Sequence, residues 1–188
     1  DEVYDRIIYG SEHVSFLGTG YEKLLLVNSF SKTFAMTGWR IGYILSTNLD
    51  AMKQLIKLQY YVTACSNDAM QYAVLAAFNE ANDYPSEMAK EFQARRDLIC
   101  DRLNAMPGVS CHVPEGAFYV FPKVEVEGMN SEEIAIELLK GGVLCSPGSA
   151  FGESGEGHLR FAYTIGREDI QRGMDKVESV LKGLRDGA

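Results

Sequence analysis

The sequence predicts an α/β fold: an incomplete sheet domain followed by a smaller α+β domain. Three observations carry this. Short apolar runs at 6–9 (RIIY), 24–28 (LLLVN) and 41–46 (IGYILS) read as strands of a sheet covered on both faces. Stretches with apolar residues three and four apart lie between Asn48 and Met106 and read as helices. Beyond Pro107-Gly108 the texture changes to short strands, turn residues and two further amphipathic segments.

Each element has a local reason. Asn48 is a helix cap ahead of Met52, Leu55, Ile56 and Gln59. A second helix is expected near 68–80, with Met70, Val74, Ala77 and Phe78 on one face. Pro85-Ser86 opens a long helix with Met88, Phe92, Ile99, Leu103 and Met106 along its apolar stripe, closed by Pro107-Gly108. Residues 109–121 give two short strands broken at Pro114-Glu115-Gly116. Ser131, Glu132 and Glu133 open a helix that closes at Gly141-Gly142. Strand 159–163 alternates, with Leu159, Phe161 and Tyr163 on one face and Arg160 and Ala162 on the other. Ile170, Met174, Val177, Leu181 and Leu184 mark a last helix. The expected organisation is a sheet part at 1–83, a connecting helix at 84–107 and a small domain at 108–188. Three strands make an incomplete sheet whose edge needs a cover.

Composition excludes several classes. A net charge of −8 with both signs scattered offers no basic stripe for nucleic acid. The cysteines at 65, 100, 111 and 145 form no C-x-x-C pair, and His13, His112 and His158 do not cluster with them. Neither a disulfide framework nor a metal site is expected. Free thiols fit a reducing cytoplasm. No apolar run approaches ~20 residues, so no membrane span is expected. The acidic, mixed first residues do not read as a signal peptide.

The stretch SFSKTFAMTGWRIGY, 29–43, asks for chemistry. A buried lysine loses its charge readily, and a neutral amine attacks carbonyls. Ser29 and Ser31 offer hydroxyls, and Arg40 offers a fork that suits a phosphate. Lys32 among them describes a site for pyridoxal phosphate. The plainer reading is a strand-end lysine reaching solvent, with Arg40 in an unrelated ion pair. Elsewhere the plainer readings prevail. The glycines at 148, 152, 155 and 157 shape a turn, and His158 is a surface or turn residue. Arg95-Arg96 is a solvated helix face, Trp39 is packing, and Tyr60-Tyr61 belongs to the core.

The 29–43 stretch resembles the signature around the cofactor lysine of class I/II, aspartate aminotransferase-like enzymes of fold type I. DEVYD at the start resembles their D-x-x-Y element, and PGSAFGESGEGHLRFAY, 147–163, resembles their segment ending in a carboxylate-binding arginine. The resemblance covers essentially the whole chain and implies pyridoxal 5′-phosphate as cofactor. It implies that Asp1 pairs with the pyridine nitrogen and Tyr4 with the phenolic oxygen. It makes Lys32 the Schiff-base lysine and proton carrier. Ser29 and Arg40 become phosphate ligands, and Arg160 the clamp on the substrate carboxylate. Ser31 is a lesser phosphate candidate, because neighbouring strand residues alternate in direction. Asp1 and Tyr4 reach one ring only if the chain turns after Asp1.

Members of that family are about twice this length and work as homodimers on amino acids and 2-oxo acids. Their N-terminal half supplies further cofactor contacts. The resemblance therefore implies a C-terminal portion of an aminotransferase that is inactive alone. The same lysine, aspartate and arginine also serve carbon–sulfur lyases, aminocyclopropane-carboxylate synthases, and aminotransferase-like effector domains of transcriptional regulators.

Overall fold

The computed structural model describes residues 1–187 and divides into two compact units, Asp1–Ala89 and Lys90–Ala188. In the first unit, β1 (Leu26–Ser29) pairs antiparallel with β2 (Gly42–Leu45), with Leu26 opposite Leu45 and Ser29 opposite Gly42. Glycine is needed at 42: a Cβ there would lie 2.6 Å from the Asn28 carbonyl oxygen. Between the strands sits a single helical turn, α1 (Phe30–Thr33). Phe30 and Phe34 anchor that turn, each meeting Phe78 edge-on at 5.6 Å between ring centroids. Val74 completes this small core, with Met36, Ile41, Tyr43 and Ala77 against it.

Both helices after β2 start where the caps predict. Asn48 accepts the Ala51 N–H at the head of α2 (Leu49–Thr63), and Asn67 accepts the Met70 N–H at the head of α3 (Asp68–Glu80). Next comes α4 (Tyr84–Asn104), with Pro85 in its first turn, where the missing N–H costs nothing.

In the second unit, β3 (Val109–Ser110) pairs antiparallel with β5 (Lys123–Val124). A three-stranded sheet has the order β4 (Tyr119–Val120), β7 (Leu159–Ala162), β6 (Ser146–Pro147). Helix α5 (Ser131–Lys140) carries a full capping box: the Asn130 side chain accepts the Glu133 N–H, and the Glu133 carboxylate accepts the Asn130 N–H. Glu156 adds a second clamp by accepting the Ser131 N–H at 2.7 Å and its hydroxyl at 3.0 Å. Helix α6 (Arg167–Asp186) buries Ile170, Met174, Val177 and Leu181. Leu103, Leu138, Leu159, Phe161 and Tyr163 of the same unit are also buried. The side-chain amide of Asn104 donates to the Cys111 carbonyl at 2.9 Å and accepts the Cys111 N–H at 2.7 Å.

Several expectations are corrected. Residues 6–9 form no strand: Val3–Arg6 is a turn and only Ile8 is a bridge residue. Ile7 and Tyr9 are buried all the same, so the apolar run plugs a core from irregular backbone. The β1–β2 pair is covered on one face only, because Leu26 and Asn28 are buried while Leu25 and Val27 are 42% and 41% exposed. Tyr60, Tyr61 and Trp39 are exposed rather than packed. Arg96 is buried rather than solvated, donating to Asp97 at 2.7 Å and to the Pro114 carbonyl at 2.9 Å. Arg95 is half-buried and donates to Glu91 and to the Thr164 carbonyl. No helix of the described residues is long and apolar enough to cross a membrane.

Candidate active site

The lysine segment sits at the end of β1, where strand gives way to helix. Ser29 ends the strand and caps α1, its Oγ accepting the Ser31 N–H at 3.0 Å. The same hydroxyl donates to the Ile41 carbonyl at 3.3 Å. A phosphate oxygen there would replace that carbonyl as acceptor. Ser31 and Lys32 lie in the helical turn, so the strand alternation expected to separate Ser29 from Ser31 does not apply. Ser29, Ser31 and Arg40 line one open groove of about 820 Å³, together with Tyr43 and with Met52 and Gln59 of α2. Arg40 is in left-handed backbone (φ 53°), exposed, and donates to the Thr37 carbonyl at 2.8 Å.

Lys32 is half-buried rather than enclosed, and it is not among the residues lining that groove. Asp1 and Tyr4 are not among them either. The chain does turn directly after Asp1, whose carboxylate accepts the Val3 N–H at 3.1 Å. That turn is tied to β1 by the Glu2 N–H donating to the Val27 carbonyl at 2.9 Å. The D-x-x-Y element and the lysine segment are therefore held together through β1.

Four polar residues that sequence reasoning missed support this arrangement. Asn28 is buried, donates to Asp5 at 3.1 Å, and accepts the Ser29 N–H at 2.6 Å. Its signal was an amide ending an otherwise apolar strand. Asp5 keeps one buried carboxylate oxygen without a hydrogen bond among the described residues. Burial, and then the negative charges of Asp5 and Glu2, push the Tyr43 phenol above its ordinary range, so Tyr43 stays neutral. Glu2 gathers the following loop: His13 Nε2 lies 2.8 Å from its carboxylate, and Ser15 and the Phe16 N–H donate to it.

Arg160 lies in the second unit, on the face of β7 opposite Leu159 and Phe161, as alternation requires. Ser146 sits directly across from it on β6, and Arg160 Nη2 donates to Ser146 Oγ at 3.3 Å. Its guanidinium carbon lies 4.6 Å from the ring centroids of both Tyr119 and Phe151. A half-buried arginine held this way can take a carboxylate. His158 is half-buried and stacks on Phe121 at 5.0 Å.

The family model for aminotransferase class I and II matches residues 1–177. The chain belongs to that family. It is 41% identical over 187 residues to a probable aspartate aminotransferase of Methanocaldococcus jannaschii, covering 97% of this chain and 49% of that protein. An aromatic-amino-acid aminotransferase of Thermococcus litoralis is 36% identical over 188 residues, with 97% and 48% covered. The solved aromatic aminotransferase of Pyrococcus horikoshii superposes with a TM-score of 0.90 at 37% identity, covering 96% of this chain and 49% of that one. The chain thus spans about half the length of the relatives it matches. The mixed α/β architecture agrees with these neighbours, and the family uses pyridoxal phosphate.

Proposed function

We propose that this chain is the C-terminal portion of a pyridoxal phosphate-dependent aminotransferase, which moves an amino group from an L-amino acid to a 2-oxo acid. The observation that carries it is the groove lined by Ser29, Ser31 and Arg40 in the segment that holds Lys32. Two hydroxyls and a guanidinium are the donor set a phosphate wants, so the residues fit the phosphate end of the cofactor. Bound there, the cofactor supplies an aldehyde that takes amines and a ring that accepts electrons released at the substrate Cα.

The chain's own residues would do the rest. Ser29, Ser31 and Arg40 hold the phosphate. The Asp1 carboxylate keeps a proton on the ring nitrogen, and the Tyr4 hydroxyl bonds the phenolic oxygen. The Lys32 amine would take the proton from the substrate Cα and deliver it to C4′ of the cofactor, serving as base and then acid. Arg160 fixes the α-carboxylate and so sets which Cα bond is presented for cleavage. In this reading residues 1–83 are part of the large cofactor domain, 84–107 the connecting helix and 108–188 the small domain. The working protein is a homodimer in the cytoplasm, which its four free thiols suit, without nucleic-acid or membrane partners. Because further cofactor contacts lie outside these residues, the isolated chain is expected to show no turnover.

The test is chemical trapping. The chain is mixed with pyridoxal phosphate, reduced with borohydride and mapped by peptide mass. One adduct at Lys32 is expected, lost in Lys32→Ala. Label scattered over several lysines overturns the assignment of Lys32.

A further inference from the structure

We propose that Tyr119 and Phe151 are positioning residues that hold the Arg160 guanidinium between two aromatic faces, so that it meets a single carboxylate edge-on. The inference rests on the reading of Arg160 as the carboxylate clamp and assigns the residues that make the clamp rigid.

The sheet explains the Tyr119 side. Tyr119 pairs with Ala162 across β4 and β7, and Ala162 shares a face with Arg160 two residues away. Tyr119 is therefore the diagonal neighbour of Arg160. Alanine opposite Tyr119 leaves room for the ring to lean along the strand, and the ring centroid comes to 4.6 Å from the guanidinium carbon.

The glycine-rich stretch explains the Phe151 side. Phe151 ends a 3-10 turn, Gly148–Phe151, which follows β6 directly. That turn is locked by backbone packing: a Cβ on Gly148 would lie 1.9 Å from the Gly155 carbonyl oxygen, and a Cβ on Gly155 would lie 2.1 Å from that of Gly148. Phe151 is half exposed, yet its ring lies 4.6 Å from the guanidinium carbon and is braced edge-on by Phe121 at 5.8 Å. Phe121 in turn stacks on His158. The glycines at 148 and 155, which read from sequence as turn-formers, deliver one wall of the clamp.

With two rings each 4.6 Å from its carbon and Nη2 bound to Ser146, the guanidinium has its in-plane edge left for a ligand. A planar carboxylate engages that edge with two parallel hydrogen bonds, and one such group fills it. Each ring is half of a cation–π pair, and its loss leaves the fork to wobble.

The test uses the full-length holoenzyme that carries this chain. The variants are Tyr119→Leu, Phe151→Leu, Tyr119→Phe and Arg160→Leu, with the amino acid and the corresponding primary amine lacking the carboxylate as substrates. Each leucine variant is expected to raise KM for the amino acid about 3- to 30-fold. Its kcat should stay within about two-fold, and its kcat/KM for the amine should not change. Tyr119→Phe, which keeps the ring, should behave as the parent. Phe151 is half exposed, so its variant remains informative if Tyr119→Leu fails to fold. If Arg160→Leu raises KM but neither leucine variant does, the positioning role is refuted and the clamp stands. If Arg160→Leu leaves KM unchanged, the clamp itself is refuted. Equal losses on amino acid and amine would mean that the rings serve only the fold, which also overturns the proposal.

Discussion

Replacing Gly148 with alanine tests the backbone packing directly. The new Cβ would sit 1.9 Å from the Gly155 carbonyl oxygen and 2.7 Å from that of His158. Both obstacles are main chain, so no rotamer change relieves them. Moving 1.9 Å out to an ordinary contact of 3.4 Å means parting the two segments. That separation also strains the Gly148 N–H bond to the His158 carbonyl, now 2.8 Å. Overpacking of this kind costs about 1–3 kcal/mol, and a lost hydrogen bond adds about 1 kcal/mol. Together they give about 3 kcal/mol, or a melting temperature lower by about 6–12 °C for a chain of this length. The assay is a thermal melt followed by circular dichroism at fixed pH. The control is Gly157→Ala, where φ is 76° but nothing lies within 4 Å of the added carbon. Its cost is limited to the left-handed backbone, about 1–2 kcal/mol. If Gly148→Ala melts as the parent does, or falls less than the control, the argument from backbone contact is wrong.

Other perturbations probe other parts of the chain. Burial raises the Glu2 carboxyl, but hydrogen bonds from His13, the Phe16 N–H and Ser15, with the His13 charge, outweigh it and hold the carboxyl below its ordinary range. A depressed folded value stabilises above the unfolded one, so the deficit of Glu2→Gln in urea melts should be full above about pH 5. It should fade as the pH falls through the folded value, and a deficit independent of pH would contradict this. Arg96→Leu leaves the Pro114 carbonyl without that donor and should cost about 1–3 kcal/mol in the same melts, against under about 1 kcal/mol for Arg95→Leu. Thiol labelling should run in order: Cys65, which is exposed, first; Cys145, pushed up to about 11 by burial, slowly; Cys100 and Cys111 only on unfolding.

What the sequence made legible was whatever a few neighbouring residues decide. Asn48 announces its helix because the cap bond is made within three residues. The alternation of 159–163 places Arg160 on the open face because the pleat permits nothing else. What failed depended on distant partners. Ile7 and Tyr9 look like strand residues because burial and strand share the same apolar signal, and only the turn Val3–Arg6 distinguishes them. Leu25 and Val27 look fully buried, yet within this chain one of their faces has no cover. Arg96 reads as solvent-facing until the Pro114 carbonyl comes to meet it from 18 residues away. Ser31 ranks below Ser29 by strand geometry, although the backbone is already helical from Phe30. At the candidate site the charged and hydroxyl residues were legible. The aromatic rings beside Arg160 were not, because only the sheet and the turn after β6 bring Tyr119 and Phe151 to it.

The paired bonds between Asn104 and Cys111 have a consequence for how this chain tolerates change. With one donor and one acceptor on a short stem, the Asn104 amide presents to Cys111 what a neighbouring strand would present. Aspartate lacks the donor, glutamine is one methylene too long, and alanine offers nothing. The reversal between them can drift in sequence, but asparagine is the side chain that makes both bonds from position 104. Because both bonds go to the main chain of residue 111, the side chain there can change without disturbing them, and a comparison of sequences should show position 104 held while position 111 varies.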